Sequence, residues 1–197
     1  MKRISLFILS ATGLIAMVLV AGVAVYAQDV VTLGQIKAAP GDIAKVPVWV
    51  TDTGGTVLGV GQAAGRRIQG LSFKVAYTPS EAVVSATFSR AGITASLKPL
   101  FEASPTSGNT AGYLASFDEE TNPIPFTVSQ SKASQGDWVA VLTLKISPEA
   151  APGTVVTLTL DPAVTILTNQ GGTITETAEA ENLVLVNGSL TVTDKKP

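Results

Sequence analysis

The chain contains neither cysteine nor histidine among its 197 residues. Without cysteine there is no disulfide framework and no thiolate metal site. Without histidine there is no Ser-His-Asp triad, no Cys-His pair and no imidazole ligand. Charge is also scarce: Asp, Glu, Lys and Arg make up 14%, with 13 basic against 15 acidic residues and a formal charge of −2. So balanced a chain has no electrostatic footprint for nucleic acid. Aromatic residues are only 6%. What is abundant is apolar side chain, at 46%, far from the composition of a disordered segment. A chain of about 150 residues buries roughly 70% of its unfolded surface, so one domain with a real core is expected. The missing residue types make a non-catalytic protein with no cofactor and no metal the expectation.

Residues 1–27 read as an address. Met1-Lys2-Arg3 is basic, Ile4 to Val25 is an uncharged run of about 22 residues, and Val25-Tyr26-Ala27 places small residues at a cut site before Gln28. That is the layout of a secretory signal peptide. The run also has the length of a bilayer span, so an uncleaved N-terminal anchor is the alternative, and the only membrane contact expected. Either way residues 28–197 are expected to be exported, secreted or held at the cell surface, since positive charge stays on the cytoplasmic side.

From Ala27 onward the pattern has period two. Leu71, Phe73, Val75 and Tyr77 alternate with Ser72, Lys74 and Ala76; Val46, Val48 and Val50 alternate with Pro47 and Trp49. Trp138, Ala140, Leu142, Leu144 and Ile146 form a third series, Val156, Leu158 and Leu160 a fourth. Val184, Val186, Leu190 and Val192 are expected on one face of a last strand. Weaker strand candidates lie at 30–36, 82–89, 111–117, 125–129, 164–168 and 173–177. Alternation marks strands with one face buried. Turn clusters such as Pro40-Gly41-Asp42, Asn122-Pro123 and Pro152-Gly153 separate them. Short strands with regular breaks predict an all-β fold, an antiparallel two-sheet sandwich. Phe73, Val75, Leu142, Leu144, Val156, Leu158, Val186 and Leu190 are the expected core. The Gly-rich stretch 53–65 reads as a long loop.

Few constellations suggest chemistry. Gly59 to Gly65 has the wrong spacing for a dinucleotide loop and no helix pattern after it. Asp118-Glu119-Glu120 supplies hard oxygens of the kind calcium uses, without EF-hand spacing. No pair of carboxylates is singled out for glycoside hydrolysis. Trp49, Tyr113 and Trp138 are candidates for stacking on sugar rings. Trp138 shares the register of Ala140 and Leu142 and is expected in the core; Trp49 is out of register with Val48 and Val50 and is the better surface candidate. Asn187-Gly188-Ser189 matches a glycosylation triplet inside a strand pattern.

The order of segments resembles the cohesin domain family across nearly all of 30–193. The matching pieces are Val31-Thr32-Leu33-Gly34-Gln35, Pro40 to Val48, Ile68 to Ser80, Leu114 to Asp118, Gly136 to Ala140, Leu142 to Ile146, Ala151-Pro152-Gly153-Thr154 and Gly188 to Val192. The resemblance implies a jelly-roll sandwich of about nine strands for residues 28–197. It also implies a binding module whose partner is a dockerin-like module or another extracellular protein. In the best-known cohesins an Asn and an Asp two apart on the third strand grip the partner; here those positions are Gly70 and Ser72. The implied partner-binding residues are Ser72 and Lys74 on the polar side of that strand, with Tyr113 and Asp118 on or beside the neighbouring one. Two other readings stand beside it. One is a carbohydrate-binding module using Trp49 and Tyr113 on polysaccharide; the other is a structural subunit of the cell envelope joined through strand edges.

Overall fold

The computed structural model describes residues 27–127 and 136–194. The expected signal segment up to Tyr26 lies outside the described residues, as does the end of the 125–129 strand candidate. The described part of that candidate, 125–127, is not strand.

Alternating Val, Leu and Thr build two sheets, as expected. The smaller runs β13 (Leu183–Val186), β1 (Asp29–Leu33), β3 (Ile43–Thr51), β9 (Asp137–Ile146), β5 (Val83–Arg90). The larger runs β12 (Thr175–Thr177), β11 (Ile166–Thr168), β4 (Gly70–Thr78), β10 (Val155–Leu160), β14 (Gly188–Val192), β2 (Gln35–Ala38). β10 and β11 lie end to end along one edge of β4. β8 (Thr110–Ser116) lies along the other, with β6 (Phe101–Ala103) and β7 (Thr106–Ser107) beyond it. Leu71, Phe73, Val75, Val156 and Leu158 of the larger sheet meet Val46, Val48, Leu142 and Leu144 of the smaller in one buried cluster. The architecture is an all-β jelly-roll sandwich, in which most pairings are antiparallel and two are parallel, β1 with β13 and β2 with β14.

Those two parallel pairings share a cause. The first strand leaves the smaller sheet at Gly34 and enters the larger; the last does the same at Asn187-Gly188. The two crossings touch: the Ser189 N–H donates to the Gly34 carbonyl at 3.3 Å, and Asn187 Oδ1 accepts from the Leu160 N–H at 2.9 Å. The candidate glycosylation side chain thus ties a strand end. The crossing also reverses parity. Val186 was expected in the core with Leu190, but it sits on the smaller sheet facing solvent, while Leu183, Leu190 and Val192 are buried.

A second inversion moves Trp138. Val48 pairs with Ala140 but Trp49 pairs with Trp138, so Val139 is the extra residue of a β-bulge. Val139 takes the buried place, and Trp138, expected in the core, is 42% exposed. Its Nε1–H donates to the Ala140 carbonyl at 2.8 Å.

The stretch after β3 is a long loop, as expected, and it is anchored at its base. Asp52 accepts from the Gly54 and Val60 N–H groups. Gly59 has φ +123°, and a Cβ there would lie 2.5 Å from the Asp52 carboxylate, so glycine is required.

Candidate functional site

β4 presents its odd positions to the core and Ser72, Lys74 and Ala76 to the outside. Cross-strand pairing extends that outer face sideways. Ala103 of β6 pairs with Leu114 of β8, Leu114 with Ser72, Ser72 with Ile166 of β11, and Ile166 with Thr177 of β12. Directly opposed residues project from the same face of a sheet, so these five form one transverse row. One row further, Phe101 pairs with Ser116 and Ser116 with Gly70. Leu114 is 40% exposed and Phe101 55%. Val164, just before β11, is also exposed. The centre of the face is therefore apolar, with Phe101, Leu114, Ile166 and Val164 around a small serine.

Charge stands at the margins and is paired. Lys74 Nζ lies 3.1 Å from Asp161 Oδ2, and that hydrogen bond holds the Asp161 carboxyl below its ordinary value. Arg90 Nε lies 2.9 Å from Glu102 Oε2, but Glu102 pairs with the inward-facing Ala115 and belongs to the other side of the sheet. An exposed pair such as Lys74–Asp161 adds little stability; here it neutralises the lysine beside the apolar row.

The expected site residues separate. Ser72 and Lys74 share the face. Tyr113 does not: it is fully buried, because it has the parity of Ala111 and Ala115 and points inward. Its ring stacks on Phe73 with centroids 6.0 Å apart and meets Phe88 of the smaller sheet at 5.7 Å. Its hydroxyl donates to Glu102 Oε1 at 3.1 Å, and burial pushes its pKa up. That position removes it from both the protein-binding and the sugar-stacking sets. Asp118 stands beyond the Gly70 end of β4, more than about 13 Å along the strand from Lys74 at about 3.3 Å per residue. Its Oδ1 accepts from the Thr121 and Glu120 N–H groups at 2.8 and 2.9 Å, bonds that hold its carboxyl below the usual value. Asp118 closes a turn. Trp49 lies on the outer face of the other sheet, opposite Trp138 in register.

The structure also explains Gly70 and Ser72. A Cβ at Gly70 would lie 2.0 Å from the Thr168 hydroxyl, so the position has no room for a side chain. The Ser72 hydroxyl already donates to the Val164 carbonyl at 2.7 Å. Neither offers a free polar grip. Phe101, Leu114 and Ile166 were missed in the sequence. The opposite parity of Leu114 to Tyr113 was a legible signal; Phe101, on a three-residue strand, carried none.

No protein-family model matches the chain, and no curated protein is significantly similar to it in sequence. Solved structures are similar in fold. The cohesin CaCohA2 of Clostridium acetobutylicum, in complex with CaDoc0917, has a TM-score of 0.58 at 18% identity, covering 84% of this chain and 100% of that one. The third cohesin of ScaC from Acetivibrio cellulolyticus, in complex with the ScaB dockerin, has 0.55 at 19%, covering 84% and 99%. The seventh ScaB type I cohesin of Pseudobacteroides cellulosolvens has 0.54 at 17%, covering 86% and 95%. The chain has a cohesin-like fold.

Proposed function

We propose that the chain is a non-catalytic protein-binding module whose partner seats on the outer face of the larger sheet. The partner class is a dockerin-like module or another extracellular protein, and residues 28–197 act as one domain. The observation that carries the reading is the uncharged transverse row Ala103, Leu114, Ser72 and Ile166 with Phe101 beside it. A desolvated apolar centre with a charged rim is the anatomy of a protein-binding patch. Two of the fold neighbours were solved in complex with dockerin partners, which supports the partner class. Lacking the Asn and Asp of the best-known cohesins, this face would grip through apolar contact, with Lys74 and Asp161 at its rim. Export, to the medium or the cell surface, rests on the Met1–Ala27 pattern.

The test is calorimetric titration of calcium-loaded dockerin modules, and of partners captured from an extracellular fraction, against Ser72→Arg. The arginine places a charge at the centre of the row without entering the core. Affinity is expected to fall more than tenfold, about 1.4 kcal/mol, with the protein still folded and unfolding cooperatively. Equal affinity would move the site to the 52–69 loop or to the smaller sheet.

A second reading has its own observation. Trp49 and Trp138 are register partners on the outer face of the smaller sheet, with Thr32 and Val186 continuing their row. A polysaccharide could stack on such a row, independently of the first face. Retention in affinity electrophoresis through soluble β-glucan is expected for the wild type and lost in Trp49→Ala/Trp138→Ala. An unretarded wild type rejects it.

A further inference from the structure

Asp29 and Glu176 are both fully buried, and each has one carboxylate oxygen without a hydrogen-bond partner, Asp29 Oδ2 and Glu176 Oε2. Their other oxygens are occupied. Asp29 Oδ1 accepts from the Thr53 N–H at 2.9 Å and the Thr53 hydroxyl at 3.3 Å. Glu176 Oε1 accepts from the Leu58 N–H at 3.0 Å. Asp29 belongs to β1 of the smaller sheet and Glu176 to β12 of the larger, so the two side chains meet between the sheets at one end of the sandwich. They lie within hydrogen-bonding reach of each other.

Two facing carboxylates can only accept; one proton between them turns the idle pair into a donor and an acceptor. Other charge nearby makes that proton more necessary. Among the described residues, the remaining titratable group facing the pair is Asp52, just after β3 and itself fully buried. Glu179 and Glu181, on the loop after β12, are exposed. The ion pairs among the described residues are Arg67–Glu119, Lys74–Asp161 and Arg90–Glu102, so none neutralises this cluster. A second negative charge left unpaired in the interior is strongly unfavourable. A cation is a poor substitute, since calcium takes six to eight oxygens. Among the described residues no three acidic side chains are gathered to hold a metal, and both Asp52 oxygens already accept backbone N–H groups.

We propose that Asp29 and Glu176 share a single proton and form a pH-sensitive latch, closing the two sheets and the 52–69 loop together when protonated and loosening that loop when the proton is lost. The loop is included because both partners hold it, Asp29 through Thr53 and Glu176 through Leu58. Burial and then the Glu176 charge push the Asp29 carboxyl up to about 9, and burial also raises Glu176. In the unfolded chain both carboxyls titrate near pH 4. The folded state therefore keeps a proton that the unfolded state has lost, and stability falls as pH rises from about 4 to about 9.

The experiment is melting temperature against pH for the wild type, Asp29→Asn and Glu176→Gln. Each amide keeps the acceptor for its loop N–H and donates permanently to the partner carboxylate. Between pH 5.5 and pH 9 the wild type is expected to lose about 5 °C or more, which for a chain of this size is about 1–2 kcal/mol, and either variant less than half of that. Trypsin cleavage after Arg66 and Arg67, in the loop, should accelerate with pH in the wild type relative to the variants. Parallel melting curves would overturn the latch. So would a calcium-induced rise at pH 9 that Asp29→Asn abolishes, which would make the neutralising group a cation. If neither variant folds, the carboxyl carbon shift of Asp29 decides: a midpoint above pH 7 supports the shared proton, and one below pH 5 removes it.

Discussion

Phe73→Ala is expected to lower the unfolding free energy by about 3–5 kcal/mol, the range for a large aromatic removed from a core. Phe73 is fully buried in the middle of β4 and stacks on Tyr113 of β8, which in turn meets Phe88 of β5. The three rings bridge the two sheets, so truncating the first leaves a cavity that both sheets must collapse to fill. Urea unfolding measures it, with Ser72→Ala, one residue away on the outer face, as the control. The control loses only the Ser72 hydroxyl's bond to the Val164 carbonyl and should cost no more than about 0.5–1.5 kcal/mol. Similar losses for both would mean that the register of β4 is wrong. Because Phe73 lies under the Ser72 row, partner affinity should be measured only where the variant remains folded.

Gly188→Ala is the second large effect, from one added methyl group. A Cβ there would stand 2.4 Å from the Gly34 carbonyl oxygen and 2.7 Å from Leu33 Cβ. Neither neighbour is the free end of a flexible side chain; one is backbone. At Gly34 a Cβ would meet Pro47 Cδ at 2.7 Å, so the partner crossing is equally closed. Relief requires the two strand crossings to separate, and overpacking of this kind costs about 1–3 kcal/mol or more. Gly171→Ala is the contrast, because its Cβ would find nothing nearer than Thr173 Cγ2 at 3.8 Å. A midpoint for Gly188→Ala no lower than for Gly171→Ala would show that the crossings do not touch.

The buried carboxyl pair was not legible in the sequence. Glu176 lies between two threonines and Asp29 follows Gln28, each an ordinary polar position in a strand. Only the meeting of β1 with the larger sheet's β12 end makes them neighbours. The apolar face was half legible. The alternation of β4 placed Ser72 and Lys74 outside, but the row around Ser72 draws on residues 103, 114 and 166, brought together by pairing alone. Tyr113 was legible as well: it shares the parity of Ala111 and Ala115, which places it inside the sandwich and away from the binding face expected for an aromatic residue.

Alternation in the sequence by itself determined the all-β class, the two-sheet sandwich and most of the core, because a half-buried strand can satisfy only one phase of a period-two pattern. That phase holds while the strand is unbroken. At Val139 a bulge adds one residue, and at Asn187-Gly188 the chain changes sheets; each event reverses which side is inward. Whether either occurs depends on the strand alongside and on the close approach of Gly34 to Gly188, contacts between residues far apart in the chain. Trp138, Val186, the composition of the outer face and the facing of Asp29 with Glu176 were therefore decided by tertiary structure alone.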